Sequence, residues 1–472
     1  MKEKILLLQT SIEEDSQDHA SDHNVTYPLG LAYLDAILTN EGYEVLTKEY
    51  SNYPEKFCID EVEKIIRDFK PELVGISVLT MTRVSTYKII KIIKSINKDI
   101  KIILGGVHAS VMYNQLLKNF DINAVVIGEG EETVKEIIPA IIHNKSLNKI
   151  KGIAYNKSGK VIKNPERILI SNLDELPFPN HDIFANPKRD RFCILSSRGC
   201  PNNCSFCCLH FFGKRIFRQR SADSIIAEIK HLIKKYPNIK VIEFSDDTFT
   251  LNPNRVIEFC QKILDEKINL KFVCSGRIKP ASYEMFSYME KAGFIEIRFG
   301  VESGSDKILK SIHKNITKDE IIDTLKICSN FKKIKVVKLL MVGFPGENWD
   351  TIKETVTFVK EMQKIVPMDF FQASPLWIYP GTEVYYDMLS KNQISDDYWL
   401  TDKNAPYYTV EHSLDQIREM ASYIAWESAK DRGKVFLVKL ALIKIIKHPK
   451  HQIKRAFKQF LPLIVRKNKN IQ

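Results

Sequence analysis

Short, mostly apolar runs alternate with helix-period stretches along most of this chain, and that alternation constrains the fold more than any other feature. In the first 150 residues the runs Ile5–Leu8, Leu73–Val78, Ile102–Leu104 and Ala124–Ile127 are separated by stretches around Gly30–Leu38, Val62–Phe69, Tyr87–Ile96 and Thr133–Ile142. Such runs suit strands buried on both faces, and the stretches between them supply the crossovers that parallel pairing needs. The expected fold class is α/β, beginning with a doubly wound, Rossmann-like sheet. From about Arg189 the alternation resumes with candidate strands Phe192–Ser196, Val241–Ser245, Phe272–Ser275, Glu296–Val301, Lys335–Val342 and Phe371–Trp377, with helices such as Ile225–Lys235 and Ile321–Phe331 between them. Six parallel strands predict an incomplete (β/α)6 barrel. Between the two lies a connector with an Asn-Lys-Ser-Gly-Lys turn and the stretch Leu173–Pro179, whose prolines break helix and strand. The expected domains are therefore 1–150, a connector at 151–188, the barrel at 189–395 and a helical region at 396–472.

Cys200, Cys204 and Cys207 follow the first barrel strand, spaced Cys-x-x-x-Cys-x-x-Cys. A loop of this kind can wrap one iron–sulfur cube, but three thiolates leave one of four irons open for another ligand. Zinc is the rival, since a tetrahedral site closes with a fourth Cys or His, and Cys208 and His210 lie close by. Cys58, Cys193, Cys260, Cys274 and Cys328 are expected to be reduced, buried small hydrophobes. The apolar run Ile5–Leu8 is too short for a signal segment and has no small-residue cleavage site after it, so a cytoplasmic location is expected.

Sheets of both kinds bind ligands beyond the carboxyl ends of their strands, so the residues just after each strand matter most. In the first domain these are Ser77 to Thr82, including Thr80, then Gly105-Gly106-Val107-His108-Ala109-Ser110, then Gly128-Glu129-Gly130-Glu131. Paired glycines let backbone approach a large flat ligand closely. In the barrel they are Ser245-Asp246-Asp247, Gly300-Val301-Glu302-Ser303-Gly304, Gly343-Phe344-Pro345-Gly346-Glu347 and Tyr379-Pro380-Gly381-Thr382. Carboxylates here suit cationic groups and hydroxyls, and open backbone around the glycines offers hydrogen bonds to a ligand edge. Solvated loop carboxylates, a helix N-terminal charge pair at Asp246 and Asp247, and plain turn glycines are the competing readings.

The cysteine spacing, with Phe206 as the aromatic residue before the third cysteine, resembles the radical S-adenosylmethionine (SAM) enzymes. The ordered motifs Pro28-Leu29-Gly30-Leu31-Ala32-Tyr33-Leu34, Gly105–Ser110 and Gly128–Glu131 resemble the cobalamin-binding domain that precedes the barrel in one branch of them. The resemblance covers about residues 1–395. It implies a [4Fe–4S] cluster on Cys200, Cys204 and Cys207, with SAM chelated at the open iron and cleaved to methionine and a 5′-deoxyadenosyl radical. It implies SAM contacts at Phe206, Ser245, Asp246, Asp247, Glu302, Ser303, Gly343 and Tyr379. Cobalamin contacts are implied at Leu29, Gly30, Ser77, Thr80, Thr82, Gly105, Gly106, Val107, His108, Gly128, Glu129 and Gly130. The Asp-x-His-x-x-Gly motif that supplies a lower axial histidine is absent, so cobalamin is expected to bind without a histidine-to-cobalt bond, and His108 is read first as a loop hydrogen-bonding residue. The leading function is methyl transfer to an unactivated carbon of a small-molecule or lipid-like substrate, with an electron donor of flavodoxin or ferredoxin type. Cyclisation or oxidation, as in the anaerobic chlorophyll cyclase or hopanoid-modifying relatives, is the alternative, and a non-catalytic cobalamin sensor ranks last. Arg277, Tyr283 and Tyr379 are expected near the substrate, and no residue is assigned a catalytic role.

The net charge of +12 lies wholly in the tail: Arg432–Gln472 holds twelve Lys or Arg and no acid, while the other 431 residues balance at 58 of each sign. Ile453, Phe457, Phe460, Leu461 and Ile464 share one helical face, with Lys454, Arg455 and Lys458 largely elsewhere. This favours peripheral contact with an anionic membrane face over docking on protein, and both over nucleic acid, because the tail lacks interleaved Tyr and Trp.

Overall fold

A computed structural model describes residues 2–12, 28–184, 189–209, 212, 214–367 and 373–429. The basic tail segment and His210 lie outside the described residues. Two compact units form, the first from residues up to Ile297 with Phe331–Lys335 and Trp377–Pro406, the second from Arg298–Asn330, Val336–Leu376 and Tyr407 onward.

The first unit opens with β1 (Lys4–Gln9), α1 (Leu29–Asn40), β2 (Glu44–Glu49), α2 (Glu55–Phe69), β3 (Leu73–Ser77), α3 (Arg83–Ile96), β4 (Lys101–Gly105), α4 (Gly106–Asn119), β5 (Ala124–Val126) and α5 (Glu131–Ile142). An antiparallel hairpin, β6 (Ile153–Lys157) and β7 (Lys160–Lys163), follows. The strand order is β2-β1-β3-β4-β5-β6-β7, and β1 to β5 run parallel. This is the doubly wound sheet expected from the sequence. The Asn-Lys-Ser-Gly-Lys turn joins β6 to β7, so the start of the connector adds two strands to the sheet edge. Strand order reverses between β1 and β3, the kind of switch point where such sheets hold ligands. Helices α1 and α5 pack together on the face carrying Ile5, Leu7, Leu73 and Ile103, whereas α2 packs on α3.

The alternation then continues in the same unit with β8 (Arg191–Ile194), the short antiparallel pair β9 (Ser197–Arg198) and β10 (Arg218–Gln219), β11 (Val241–Phe244) and β12 (Lys271–Gly276). β11 pairs in parallel with β8 and with β12. The helices between start where sequence chemistry predicts: Ser221, Asn252 and Ser282 each accept a backbone N–H three residues on, satisfying a donor the helix itself leaves unpaired. The core here is aromatic. Phe244 lies 4.2 Å from Phe249 by ring centroids and 5.4 Å from Phe259, and Phe272 is 5.3 Å from Phe294. Burying each such ring stabilises the fold by about 1.5–3 kcal/mol.

The chain passes into the second unit within β13 (Phe294–Glu302). There β14 (Lys335–Val342) pairs in parallel with β15 (Ala373–Pro375). Thr317 with Glu320 and Asn348 with Thr351 form reciprocal caps at the helices Lys318–Cys328 and Trp349–Ile365. All six expected barrel strands are present, with Phe371 of the last lying outside the described residues.

Candidate active site

A cavity of about 460 Å³ in the first unit is lined from two sources. One is the carboxyl end and one face of the first sheet: Leu29, Gly30, Ser77, Gly105, Gly106, Val107, Gly128, Glu129 and Gly130, all expected cobalamin contacts. The other is the start of the barrel: Leu195, Arg198, Gly199, Ser245 and Asp247. Gly106 has φ +89°, and a Cβ there would sit 2.9 Å from the Val78 carbonyl oxygen, so the turn into α4 needs glycine. A Cβ at Gly30 or Gly128 would meet nothing within 4 Å. The cavity also extends between the sheet and α1 and α5, past Leu7, Leu73, Gly75, Leu34 and Val134, as an apolar slot. Glycine turns without side chains at the strand ends, continued by an apolar lining between sheet and helices, suit a flat macrocycle with a long tail.

Three expected contacts stand apart from this lining. His108 is 1% exposed, and both ring nitrogens are occupied, Nδ1 with Thr80 Oγ1 at 3.2 Å and Nε2 with the Tyr87 hydroxyl at 3.2 Å. Burial, with the Arg83 charge adding to it, lowers its pKa to about 3, so the ring is neutral. Neither nitrogen is free to ligate cobalt, in keeping with the loop hydrogen-bonding role expected for it. Thr82 Oγ1 accepts from the Leu79 N–H at 3.0 Å, closing the turn after β3, and Thr80 is likewise buried.

The cysteine loop is pinched shut by β9 and β10. Cys204 is buried, Cys200 and Cys207 are half-buried, and the Cys207 N–H donates to the Cys204 carbonyl at 3.0 Å. Burial pushes the Cys207 thiol up to about 12, with Cys208, Cys204 and Asp247 acting in the same direction. Among the described residues no three His, Cys, Asp or Glu side chains are placed to hold one metal ion, and His210, a ligand of the zinc alternative, lies outside them. A cube asks for something else, three thiolates each reaching a different iron.

Asp246 is almost fully buried and faces inward. Its Oδ1 accepts from the Ser196 N–H at 2.7 Å, its Oδ2 accepts from the Ser196 and Ser197 hydroxyls, and Arg255 lies 3.9 Å away. Asp247 instead reaches the cavity, where its Oδ2 accepts from the Gly199 N–H at 2.9 Å. Burial raises its pKa and the charge of Asp246 adds to that. The paired carboxylates therefore divide: one pins the strand that feeds the cysteine loop, the other holds the loop's first glycine.

Sequence reasoning named Glu129 and Glu131 but missed the arginines that pair with them at the rim. Arg198 donates to Glu129 Oε1 at 3.2 Å and to Glu131 Oε1 at 2.6 Å, Arg218 donates to Glu129 Oε2 at 3.0 Å, and Arg198 lies over the Tyr33 ring. Arg198 sits two residues before Cys200, and that proximity was the available signal. Phe206 lies inside the cysteine loop and is half-buried. Tyr379 directs its hydroxyl to Met81 Sδ at 3.8 Å, and Tyr283 is 60% exposed, packed on Phe331. The Arg277 N–H donates to Thr250 Oγ1 at 3.3 Å.

In the second unit Glu302 has φ +67° and accepts from Lys314 Nζ at 2.8 Å. Ser303 and Gly304 bond Thr355 Oγ1 at 3.4 and 3.0 Å. Gly343, at φ +92°, donates its N–H to Glu347 Oε2 at 2.5 Å, and burial raises the Glu347 pKa to about 7.

Comparison with known proteins agrees with this geometry. The radical SAM superfamily model matches residues 194–359, and the B12 binding domain model matches residues 19–138. An uncharacterized methyltransferase of Pyrococcus horikoshii, PH0819, is 32% identical over 446 residues, covering 92% of this chain and 93% of that protein. The anaerobic magnesium-protoporphyrin IX monomethyl ester cyclase of Rubrivivax gelatinosus is 27% identical, covering 78% and 67%. Among solved structures, the radical SAM methyltransferase TsrM of Kitasatospora setae with tryptophan and a SAM analogue superposes with a TM-score of 0.68 at 18% identity, covering 83% of this chain and 76% of that one. The protein is thus an enzyme, and its cofactors are a [4Fe–4S] cluster, S-adenosylmethionine and cobalamin. The chain belongs to the radical SAM superfamily, in the branch that carries a B12-binding domain ahead of its barrel.

Proposed function

We propose that this enzyme transfers a methyl group to an unactivated carbon of a small-molecule or lipid-like substrate. The observation that carries the reading is a cavity whose one wall combines the glycine turns of the first sheet with Arg198, Gly199, Ser245 and Asp247 beside the cysteine loop. That arrangement supports a methyl carrier and a radical source serving one site, and the 32%-identical relative is named a methyltransferase. When bound, the cluster and SAM supply one-electron chemistry and cobalamin supplies the methyl carrier.

The chain's own residues hold and shield these groups. Cys200, Cys204 and Cys207 ligate the cluster, with Phe206 shielding it. In the first unit Ser245, Asp247 and Tyr379 contact SAM, and Asp246 acts on it indirectly, as a positioning residue for Ser196 and Ser197; for Glu302, Ser303 and Gly343 of the second unit the SAM role rests on the family resemblance alone. Leu29, Gly30, Ser77, Gly105, Gly106, Val107, Gly128, Glu129 and Gly130 cradle cobalamin, while Thr80, Thr82 and His108 brace the turns beneath. A flavodoxin- or ferredoxin-type protein delivers the electron.

The test is anaerobic. Protein reconstituted with iron, sulfide and hydroxocobalamin receives dithionite and SAM, and 5′-deoxyadenosine and S-adenosylhomocysteine are measured by mass spectrometry. Both products are expected, and Cys204→Ala should remove the deoxyadenosine entirely. Deoxyadenosine without S-adenosylhomocysteine, once substrate is supplied, would instead favour cyclisation or oxidation, the reading suggested by the 27%-identical relative.

A cytoplasmic enzyme touching the inner membrane face through the basic residues after Ala429 completes the proposal. No helix among the described residues is long and apolar enough to cross a membrane. Truncation after Ala429 should abolish cosedimentation with anionic liposomes while leaving iron content intact, and unchanged sedimentation would remove this part of the reading.

A further inference from the structure

Gln9 ends β1, and the cavity reading above gives it no role. Its side chain is 1% exposed, and neither the amide nitrogen nor the amide oxygen has a partner among the described residues. Its backbone is fixed, because its carbonyl accepts from the Tyr50 N–H at 2.8 Å.

The register shows where the side chain points. Gln9 pairs with Ser77, and Ser77 pairs with Gly105, so the three form one row across the sheet. Residues in register on neighbouring strands project from the same face, as do residues two apart on one strand. Ser77 and Gly105 line the cavity, and so does Leu7, two residues before Gln9. Gln9 therefore shares the sheet face of Leu7, Ser77 and Gly105, buried just beyond the residues that line the cavity, at the switch point between β1 and β3.

A buried amide with no partner is costly, and the chemistry of its complement is restricted. The group offers two N–H donors and a carbonyl acceptor. An anion would leave its oxygen unpaired, and a cation would leave its N–H groups unpaired. A second primary amide satisfies both ends at once.

We propose that Gln9 is a further ligand-binding residue of the cavity, pairing its amide with a carboxamide side arm of the corrin ring. The inference rests on cobalamin occupying this cavity. Removing the Gln9 amide weakens cobalamin binding and removes an unpartnered group from the cobalamin-free protein, so the two states respond in opposite directions.

The experiment measures equilibrium binding of hydroxocobalamin by absorbance, and thermal unfolding without cobalamin, for the native chain, Gln9→Leu and Gln9→Met. About a tenfold or greater loss of affinity is expected in both variants. Their cobalamin-free unfolding midpoints should equal or exceed the native one. Affinity within twofold of native would overturn the role of Gln9, as would lower midpoints in both variants, which would make the side chain structural. If a variant fails to fold, native protein titrated with hydroxocobalamin monocarboxylates, each with one amide replaced by a carboxylate, reads the same contact. One derivative should bind about tenfold more weakly than the rest, and equal binding of all would overturn the pairing. Native protein that binds no hydroxocobalamin would overturn the cofactor placement itself, a result distinct from native binding with unaffected variants.

Discussion

Asp246→Ala should strip the protein of its cluster without touching a cysteine. The carboxylate accepts the Ser196 N–H, and it also holds the Ser196 and Ser197 hydroxyls. Ser197 begins β9, whose pairing with β10 closes the loop that carries Cys200, Cys204 and Cys207. Arg255, 4% exposed and held on Ser196 and the Phe249 carbonyl, would lose its nearest negative charge. Burial already lowers the Arg255 pKa, with Asp246 opposing that shift. Breaking one side of a buried charge pair costs about 3–5 kcal/mol. Iron per chain after reconstitution should fall to near background, and the apparent unfolding midpoint should drop. Asp246→Asn, which keeps an acceptor for the Ser196 N–H, should fall between the two. Native iron content in Asp246→Ala would show that the loop does not depend on this anchor.

Glu129→Gln should loosen the cavity rim, with an effect that depends on pH. Burial by itself would raise the Glu129 pKa, but the Arg218 and Arg198 charges and the Ile170 N–H outweigh it and hold the carboxyl below its ordinary value. A carboxyl with a depressed folded pKa contributes stability that is fully present above the unfolded value and is lost as pH falls through the folded one. The variant keeps shape and loses charge, leaving two largely buried arginines less well paired, at a cost of about 1–3 kcal/mol at pH 7. The native and variant midpoints should therefore converge in acid, below the ordinary glutamate pKa of about 4.3. Weaker hydroxocobalamin binding should accompany the change, because Gly128 and Gly130 flank the carboxylate. A gap between the midpoints that stays constant from pH 7 down to about pH 2, through the whole range in which the carboxyl protonates, would show that the Glu129 charge is not the source.

The sequence by itself determined the layered plan of this protein and where its strand-end loops fall. Buried parallel strands such as Leu73–Ser77 and Lys335–Val342 announce themselves as apolar runs, because both faces must be covered. The cysteine spacing is a local property of one loop, and strand ends followed by glycines mark a site in any sheet of this kind. β2 escaped notice because Glu44–Glu49 is an edge strand with only Thr47 buried, so no apolar run forms. The residues Gly105–Ser110 read as a glycine turn because two glycines open them, yet Gly106 at positive φ is the point where α4 begins.

Only the tertiary structure could divide the pairs that sequence treats alike. Asp246 and Asp247 are adjacent and chemically identical, but successive residues after a strand face opposite ways, so one is sealed against Arg255 and the other opens on the cavity. His108 stands in the first turn of α4, among the expected cobalamin contacts, and distant Thr80 and Tyr87 occupy both of its nitrogens. Arg198 and Glu129, 69 positions apart, meet because strand ends from separate sheets converge on one rim. Periodicity and spacing are written along the chain, whereas the direction in which a buried polar group finds its partner is fixed only when remote segments pack.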